Sequence, residues 1–238
     1  PIYHWIRMAE QGYAWWVERV RATLRLVDMV RLDHFRGFEA YWEVPGNART
    51  ARKGRWVEGP RDSLFEAFRA AFGVDLPIIA ENLGYITSEV EALRQRFGLP
   101  GMAVLQFGFG HDARSSPFLP HRYTRDLVAY TGTHDNDTIV GWWSRIRRQK
   151  PVRDYIKRYL DTRGREFNWV CLRALMASVA DHVIFPLQDV LGLGNEARMN
   201  RPGTLGGNWV WRFRHEHLTP HIIERLRDLS ETYGRLQE

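Results

Sequence analysis

Three short apolar runs in this chain each end on an acidic residue. They read Met29-Val30-Arg31-Leu32-Asp33, Leu76-Pro77-Ile78-Ile79-Ala80-Glu81, and Leu127 through Thr131 to His134-Asp135. Each is rich in branched residues, too short for a helix, and followed by polar chain and then helical periodicity, which is the punctuation of βα units. Strands of this kind belong to parallel sheets covered on both faces, and such sheets present reacting groups at their C-terminal ends. Desolvating an ionised carboxylate costs several kcal/mol unless it is partnered, so three carboxylates at such ends invite a chemical explanation.

The rest of the chain fills in around these runs. Trp16, Val20, Leu24 and Val27 recur at helical spacing, predicting one helix over Ile6 to Val27 that leads into the strand ending at Asp33. A loop over Tyr41 to Gly59 and a helix over Pro60 to Phe72 lead to the strand ending at Glu81. Ser88 with Glu91 reads as a capping box for a helix to Phe97. Further strands are expected at Ala103 to Phe109, Leu127 to Thr131 and His182 to Leu187. Asn136 to Ala180 reads as mostly helical with breaks near Pro151 and Gly164, and Thr219-Pro220 caps a terminal helix. About five strands in series with helical or long looped crossovers make an α/β chain with an all-parallel sheet. An eight-stranded barrel needs three more, so the expected architecture is the later part of a TIM-type (β/α)8 barrel lacking its N-terminal strands. Pro1 in place of Met agrees with a truncated start, and with no repeat or hydrophilic linker residues 1–238 read as the C-terminal part of one barrel domain.

Composition narrows the function classes. The net charge of +6 is concentrated in residues 145–165, which hold nine Arg and Lys against two Asp. Val152, Ile156, Tyr159 and Leu160 interleave there at helical intervals, so the charges form a solvated helix face, and no nucleic-acid partner is expected. No apolar stretch approaches the ~20 residues of a membrane helix and no secretory signal is evident, so no membrane partner is expected and the expected compartment is the cytoplasm. The lone Cys171 sits among Trp169, Leu172 and Leu175 as a packed thiol. His215, His217 and His221 lack a metal-site pattern, so no metal is expected. Gly192-Leu-Gly194-Asn-Glu-Ala197 fits a dinucleotide fingerprint, but Pro202, Gly203, Gly206 and Gly207 break the helix such a site requires, so no cofactor is expected.

What chemistry do the acids fit? Retaining glycoside chemistry needs an ionised nucleophile and a protonated acid about 5 to 5.5 Å apart. Arg31 and Asp33 lie two apart on one strand and so share a face, where the guanidinium would keep the carboxylate ionised. Partial burial of Glu81 against Ile78, Ile79 and Ala80 would raise its pKa toward that of a general acid. Singly, each acid also has a structural reading: Asp33 balances Arg31, Glu81 pairs with an arginine, and Asp135 caps a helix near Asn136.

Four segments together carry a resemblance: Arg31-Leu-Asp-His-Phe-Arg-Gly-Phe38, Ile79-Ala-Glu-Asn-Leu-Gly84, Thr131-Gly-Thr-His-Asp-Asn-Asp137, and Asp189 to Gly203 with Gly207-Asn-Trp-Val-Trp-Arg212. In this order they resemble the 4-α-glucanotransferases (amylomaltases or disproportionating enzymes) of the α-amylase clan. The resemblance implies Asp33 as nucleophile, Glu81 as acid/base and Asp135 as the third carboxylate that supports the transition state. Arg31 and His134 would flank them, and Asn200 would lie in a loop over the substrate cleft. It also implies a maltodextrin or α-1,4-glucan substrate and double displacement through a glycosyl-aspartate, with little activity expected from this chain alone. The alternatives are a nucleotide-binding oxidoreductase and a non-catalytic carbohydrate-binding module. The ten tryptophans offer flat faces for sugar rings, and none is assigned to that role.

Overall fold

The computed structural model describes residues 2–110 and 113–236. Pro1, whose identity entered the sequence argument, lies outside them. The chain divides into two compact units, one up to Met102 and one from Ala103 onward.

The first unit opens with α1 (Trp5–Glu10) and α2 (Ala14–Leu24), where the periodicity predicted one helix over Ile6 to Val27. The break falls at Gly12 and Tyr13, both left-handed with φ of 60° and 54°. Tyr13 is buried in the core and its hydroxyl meets Ser63 Oγ at 2.6 Å, so packing of this side chain outweighs helical continuity. β1 (Val30–Leu32) and α3 (Arg36–Glu39) follow. The expected loop over Tyr41 to Gly59 is instead a hairpin of β2 (Ala40–Glu43) and β3 (Arg55–Glu58), paired antiparallel with Trp42 opposite Trp56. The two indoles meet edge to face at 5.5 Å and Arg55 Nε donates to Glu43 Oε2 at 2.6 Å. Cross-strand pairs of this kind stabilise a ribbon whose strands alternate too briefly to stand out in sequence. The hairpin corrects the all-parallel expectation and raises the described strands from five to seven.

α4 (Arg61–Phe72), β4 (Ile78–Ala80) and α5 (Ser88–Arg96) lie where expected. The predicted capping box does not form. Thr87, not Ser88, is the N-cap, and Glu91 turns to Asn82 Nδ2 at 2.6 Å and Arg94 Nε at 2.9 Å. Phe35, Phe65, Phe68, Phe97, Leu64 and Ile78 are fully buried and form the core over which β1 and β4 pair in parallel.

β5 (Gly101–Val104) carries the chain into the second unit. The strand is shorter than the predicted Ala103 to Phe109, because Leu105–Gly108 coils into a 3-10 turn. The turn sends the Gln106 amide to the carbonyl of Asp137, 2.8 Å away, and a buried apolar run reads the same in sequence whether extended or coiled. β6 (Leu127–Tyr130) leads to α6 (Ile139–Ile146), α7 (Lys150–Tyr159) and α8 (Phe167–Met176). β7 (His182–Ile184) and the short α9 (Leu187–Val190) follow, and the described chain closes on α10 (Pro220–Thr232). The sheet order is β5-β6-β7, with β6 and β7 parallel. α7 buries Ile156 and packs Val152, Tyr159 and Leu160, leaving Lys150 and Arg158 exposed while Arg153 and Lys157 are half-buried. Cys171 is fully buried in α8, and Trp142 and Trp143 are core residues, Trp143 stacking on Phe167 at 4.3 Å. Among the described residues no helix is long and apolar enough to cross a membrane.

Candidate active site

In the first unit the site is set by strand register. Val30, Arg31 and Leu32 pair with Ile78, Ile79 and Ala80. The ladder continues one step further, Glu81 N–H donating to the Leu32 carbonyl at 3.1 Å and Phe35 N–H to the Glu81 carbonyl at 3.0 Å. Asp33 and Glu81 are therefore the next residues on two neighbouring parallel strands. Arg31 Nη2 donates to Asp33 Oδ1 at 2.6 Å, as their spacing predicted, and the Asp33 side chain is 77% exposed. Glu81 is half-buried, and backbone donors hold it: His34 N–H reaches Oε2 at 2.6 Å and Leu83 N–H reaches Oε1 at 2.9 Å. Both oxygens of Glu81 are thus fixed by its own strand end and the neighbouring one. His34 adopts a left-handed φ of 49° at this junction, a conformation that L-residues adopt at a cost and that clusters at functional sites. A cavity of about 720 Å³ opens beside β1, lined in part by Arg31, Asp33, His34, Tyr41 and Trp42.

In the second unit the turn after β6 gathers the other predicted residues. Asn136 Oδ1 accepts from both the N–H and the hydroxyl of Thr133, at 2.8 and 2.9 Å, which folds the turn tightly and turns Asp135 outward, half-exposed. Asn200 Nδ2 donates to Asp135 Oδ1 at 2.5 Å, and Asn200 N–H donates to the His134 carbonyl at 3.1 Å. His134 Nε2 lies 3.4 Å from Asp135 Oδ1, and the exposed Trp209 leans over the His134 ring at 5.1 Å. His134, Asp135 and Asn200 thus form one cluster. Asp135 does not cap the next helix: that role falls to Thr138, whose hydroxyl accepts from Gly141 N–H.

Sequence reasoning passed over the residues that hold this cluster together. Arg198 donates from Nε to the Asn200 carbonyl at 2.8 Å, from Nη1 to Asp137 Oδ1 at 2.5 Å, and from Nη2 to the Asp135 carbonyl, joining the 133–137 turn to the 198–200 segment. Asp189, fully buried on α9, accepts from Thr131 and Ile139. Burial pushes its carboxyl up to about 6, opposed by those two hydrogen bonds. Both residues lie inside a quoted motif, but nothing in a motif separates a side chain that meets substrate from one that holds a neighbour.

The glycine-rich stretch after α9 does not open a helix. Asn195–Ala197 is a 3-10 turn and the chain leaves it extended at Arg198, so no helix N-terminus stands behind the fingerprint. His217 ends another 3-10 turn ahead of α10, and among the described residues no group of three His, Cys, Asp or Glu is arranged to hold a metal ion.

A family model described as 4-alpha-glucanotransferase matches residues 1–219. The chain belongs to this family. Among curated 4-alpha-glucanotransferases, that of Synechocystis sp. is 47% identical over 237 residues, covering 99% of this chain and 46% of the relative. That of Thermus thermophilus is 47% identical over 244 residues, covering 99% and 48%. The chloroplastic/amyloplastic 4-alpha-glucanotransferase of Arabidopsis thaliana is 45% identical, covering 99% and 41%. The chain therefore spans less than half the length of these curated relatives. Among solved structures, the amylomaltase of Streptococcus agalactiae in complex with acarbose superposes with a TM-score of 0.94 at 39% identity, covering 100% of this chain and 48% of that one. The amylomaltase of Corynebacterium glutamicum, at 18% identity and a TM-score of 0.75, shares the fold.

Proposed function

We propose that this chain carries the catalytic residues of a 4-α-glucanotransferase that moves a segment of an α-1,4-glucan to the 4-hydroxyl of another glucan or of glucose. The observation that carries the reading is the β1–β4 register, which sets Asp33 and Glu81 next to each other on parallel strand ends in a chain of this family. Glu81 protonates the glycosidic oxygen as Asp33 attacks the anomeric carbon, giving a glycosyl-aspartate and a free reducing-end fragment. Glu81, now ionised, takes the proton of the acceptor 4-hydroxyl, which attacks the anomeric carbon and releases Asp33 with the α-configuration restored. Arg31 orients the Asp33 carboxylate through its 2.6 Å contact, and Asp135, supported by His134 and Asn200, stabilises the oxocarbenium-like transition state. No cofactor enters these steps, and neither nucleic acid nor a membrane is a partner. The acarbose complex of the Streptococcus agalactiae relative supports a glucan ligand.

The same reading takes residues 1–238 as the C-terminal part of a single (β/α)8 barrel, with β1, β4, β5, β6 and β7 as its later strands. The proposed setting is the cytoplasm, whereas the Arabidopsis thaliana relative is named as chloroplastic/amyloplastic.

Asp33→Asn in full-length context tests the mechanism. The expected result is loss of maltotriose disproportionation by at least roughly a thousandfold with an unchanged thermal melt, because an amide is a poor nucleophile at the anomeric centre. Retained turnover would remove Asp33 from the nucleophile's role. Glucan binding with no turnover in the unmutated protein would favour a carbohydrate-binding module.

A further inference from the structure

The Asp189 carboxylate is fully buried, and both of its oxygens are engaged by the segment that carries Asp135. Oδ2 accepts from the Thr131 hydroxyl at 2.5 Å and Oδ1 from the Ile139 N–H at 2.7 Å. Thr131 directly follows β6 and Ile139 is the first residue of α6, so one side chain ties the two ends of the segment 131–139. Contacts from elsewhere hold its middle: Gln106 Nε2 to the Asp137 carbonyl, Thr138 N–H to Asn195 Oδ1 at 3.2 Å, and Arg198 to the Asp135 carbonyl. A Cβ on Gly132 would meet Gln106 Nε2 at 2.6 Å and one on Gly141 would meet Asn195 Oδ1 at 2.2 Å, so both glycines admit these partners. α9 is itself secured, since Asn168 Nδ2 on α8 donates to the Asp189 carbonyl at 2.9 Å.

A carboxylate is a costly choice for a buried position, and a well-packed apolar residue there would commonly be at least as stable. What an apolar residue lacks is two acceptors at a fixed spacing, each meeting a donor from a different end of one turn. We propose that Asp189 is a positioning residue for Asp135: it fixes the span from Thr131 to Ile139 and so the direction in which the Asp135 carboxylate is presented, without meeting the glucan itself. This rests on the glucanotransferase reading, and the test separates the two.

In full-length context, Asp189→Ala releases both ends of the turn. The expected result is a fall in kcat for maltotriose disproportionation of roughly tenfold to a hundredfold with KM moved less than about twofold, since a misaimed transition-state group leaves substrate binding intact. Asp189→Asn keeps an acceptor for Ile139 and offers an amide proton to the Thr131 oxygen, so it rescues kcat to within roughly threefold. Amide hydrogen exchange on the same variants reads the turn directly: Asp189→Ala speeds exchange within residues 131–139 and leaves the amides of β5, β6 and β7 protected. Should Asp189→Ala fail to fold, Thr131→Val removes one tie and is expected to lower kcat several-fold at unchanged KM. Three results overturn the proposal: an unchanged kcat in a folded Asp189→Ala protein, activity that falls only in step with the folded fraction, or faster exchange spread evenly through the second unit. If the unmutated full-length protein fails to disproportionate maltotriose, the glucanotransferase reading falls, and exchange confined to residues 131–139 or spread beyond them still decides the positioning role.

Discussion

At the scale of single residues, the contact most exposed to test is Asn200 Nδ2 to Asp135 Oδ1. A hydrogen bond to a charged group is worth about 1.5 to 3 kcal/mol, and half-exposure of Asp135 puts this one near the lower figure. Asn200→Ala is therefore expected to lower kcat/KM for maltodextrin about tenfold with little change in melting temperature, as steady-state kinetics and calorimetry would show. Asn200→Asp, which sets like charges together, is expected to fall further. Asp189 gives a second prediction, on pH. Burial raises its folded pKa to about 6, above the ordinary aspartate value of 3.8, so the native state holds a proton that the unfolded chain releases between those values. The stabilisation is complete below pH 3.8 and is lost as pH rises through about 6, for a change of roughly 3 kcal/mol. The Cys171 thiol is also pushed up, first by burial and then by the Asp189 charge. Urea titrations of the native chain and Asp189→Asn at several pH values should diverge by this amount across that window; parallel curves would refute the shift. At this scale Arg31 and Asp33 were legible as a pair because a two-residue spacing on a strand dictates a shared face. Arg198 was not, because its three bonds go to residues up to 63 positions away and leave no local spacing to read.

At the scale of elements, the best-read boundary is the start of α10. Thr219 accepts from Ile222 N–H and Pro220 sits in the first turn, the arrangement a Thr-Pro pair announces by itself. Thr219→Ala is expected to destabilise the second unit by about 1 kcal/mol in urea unfolding, and no effect would mean that the helix end frays in the native state. Where a tertiary partner decided the outcome, the same style of reading missed. Glu91 prefers Asn82 and Arg94 to the backbone N–H of a cap, Tyr13 breaks a helix to reach Ser63, and the Trp42–Trp56 ribbon is fixed by pairing across a long loop whose Pro45-Gly46 turn signal does not by itself announce a hairpin. The strands that carry the acids were found to within two residues at their C-terminal ends, since buried branched runs followed by polar chain are a local signal.

At the scale of the molecule, β1 hydrogen-bonds to β4 on one side, and within the first unit no other described strand pairs with it. Transfer to a sugar hydroxyl outcompetes hydrolysis only where water is kept from the glycosyl-aspartate, and Asp33 here is 77% exposed. The 238-residue chain by itself is therefore expected to show little maltotriose disproportionation and a raised share of hydrolysis in whatever turnover it retains; brisk transfer by the purified chain would overturn this. The α/β alternation was readable from the sequence because each βα unit is a local pattern, whereas the division at Met102 leaves no compositional mark. Cys171 is the sole thiol in the sequence and lies fully enclosed in the second unit. The chain thus carries a built-in stopwatch: a colour-forming disulfide reagent stays silent until the core around that thiol breathes open, so labelling kinetics clock the opening of the second unit.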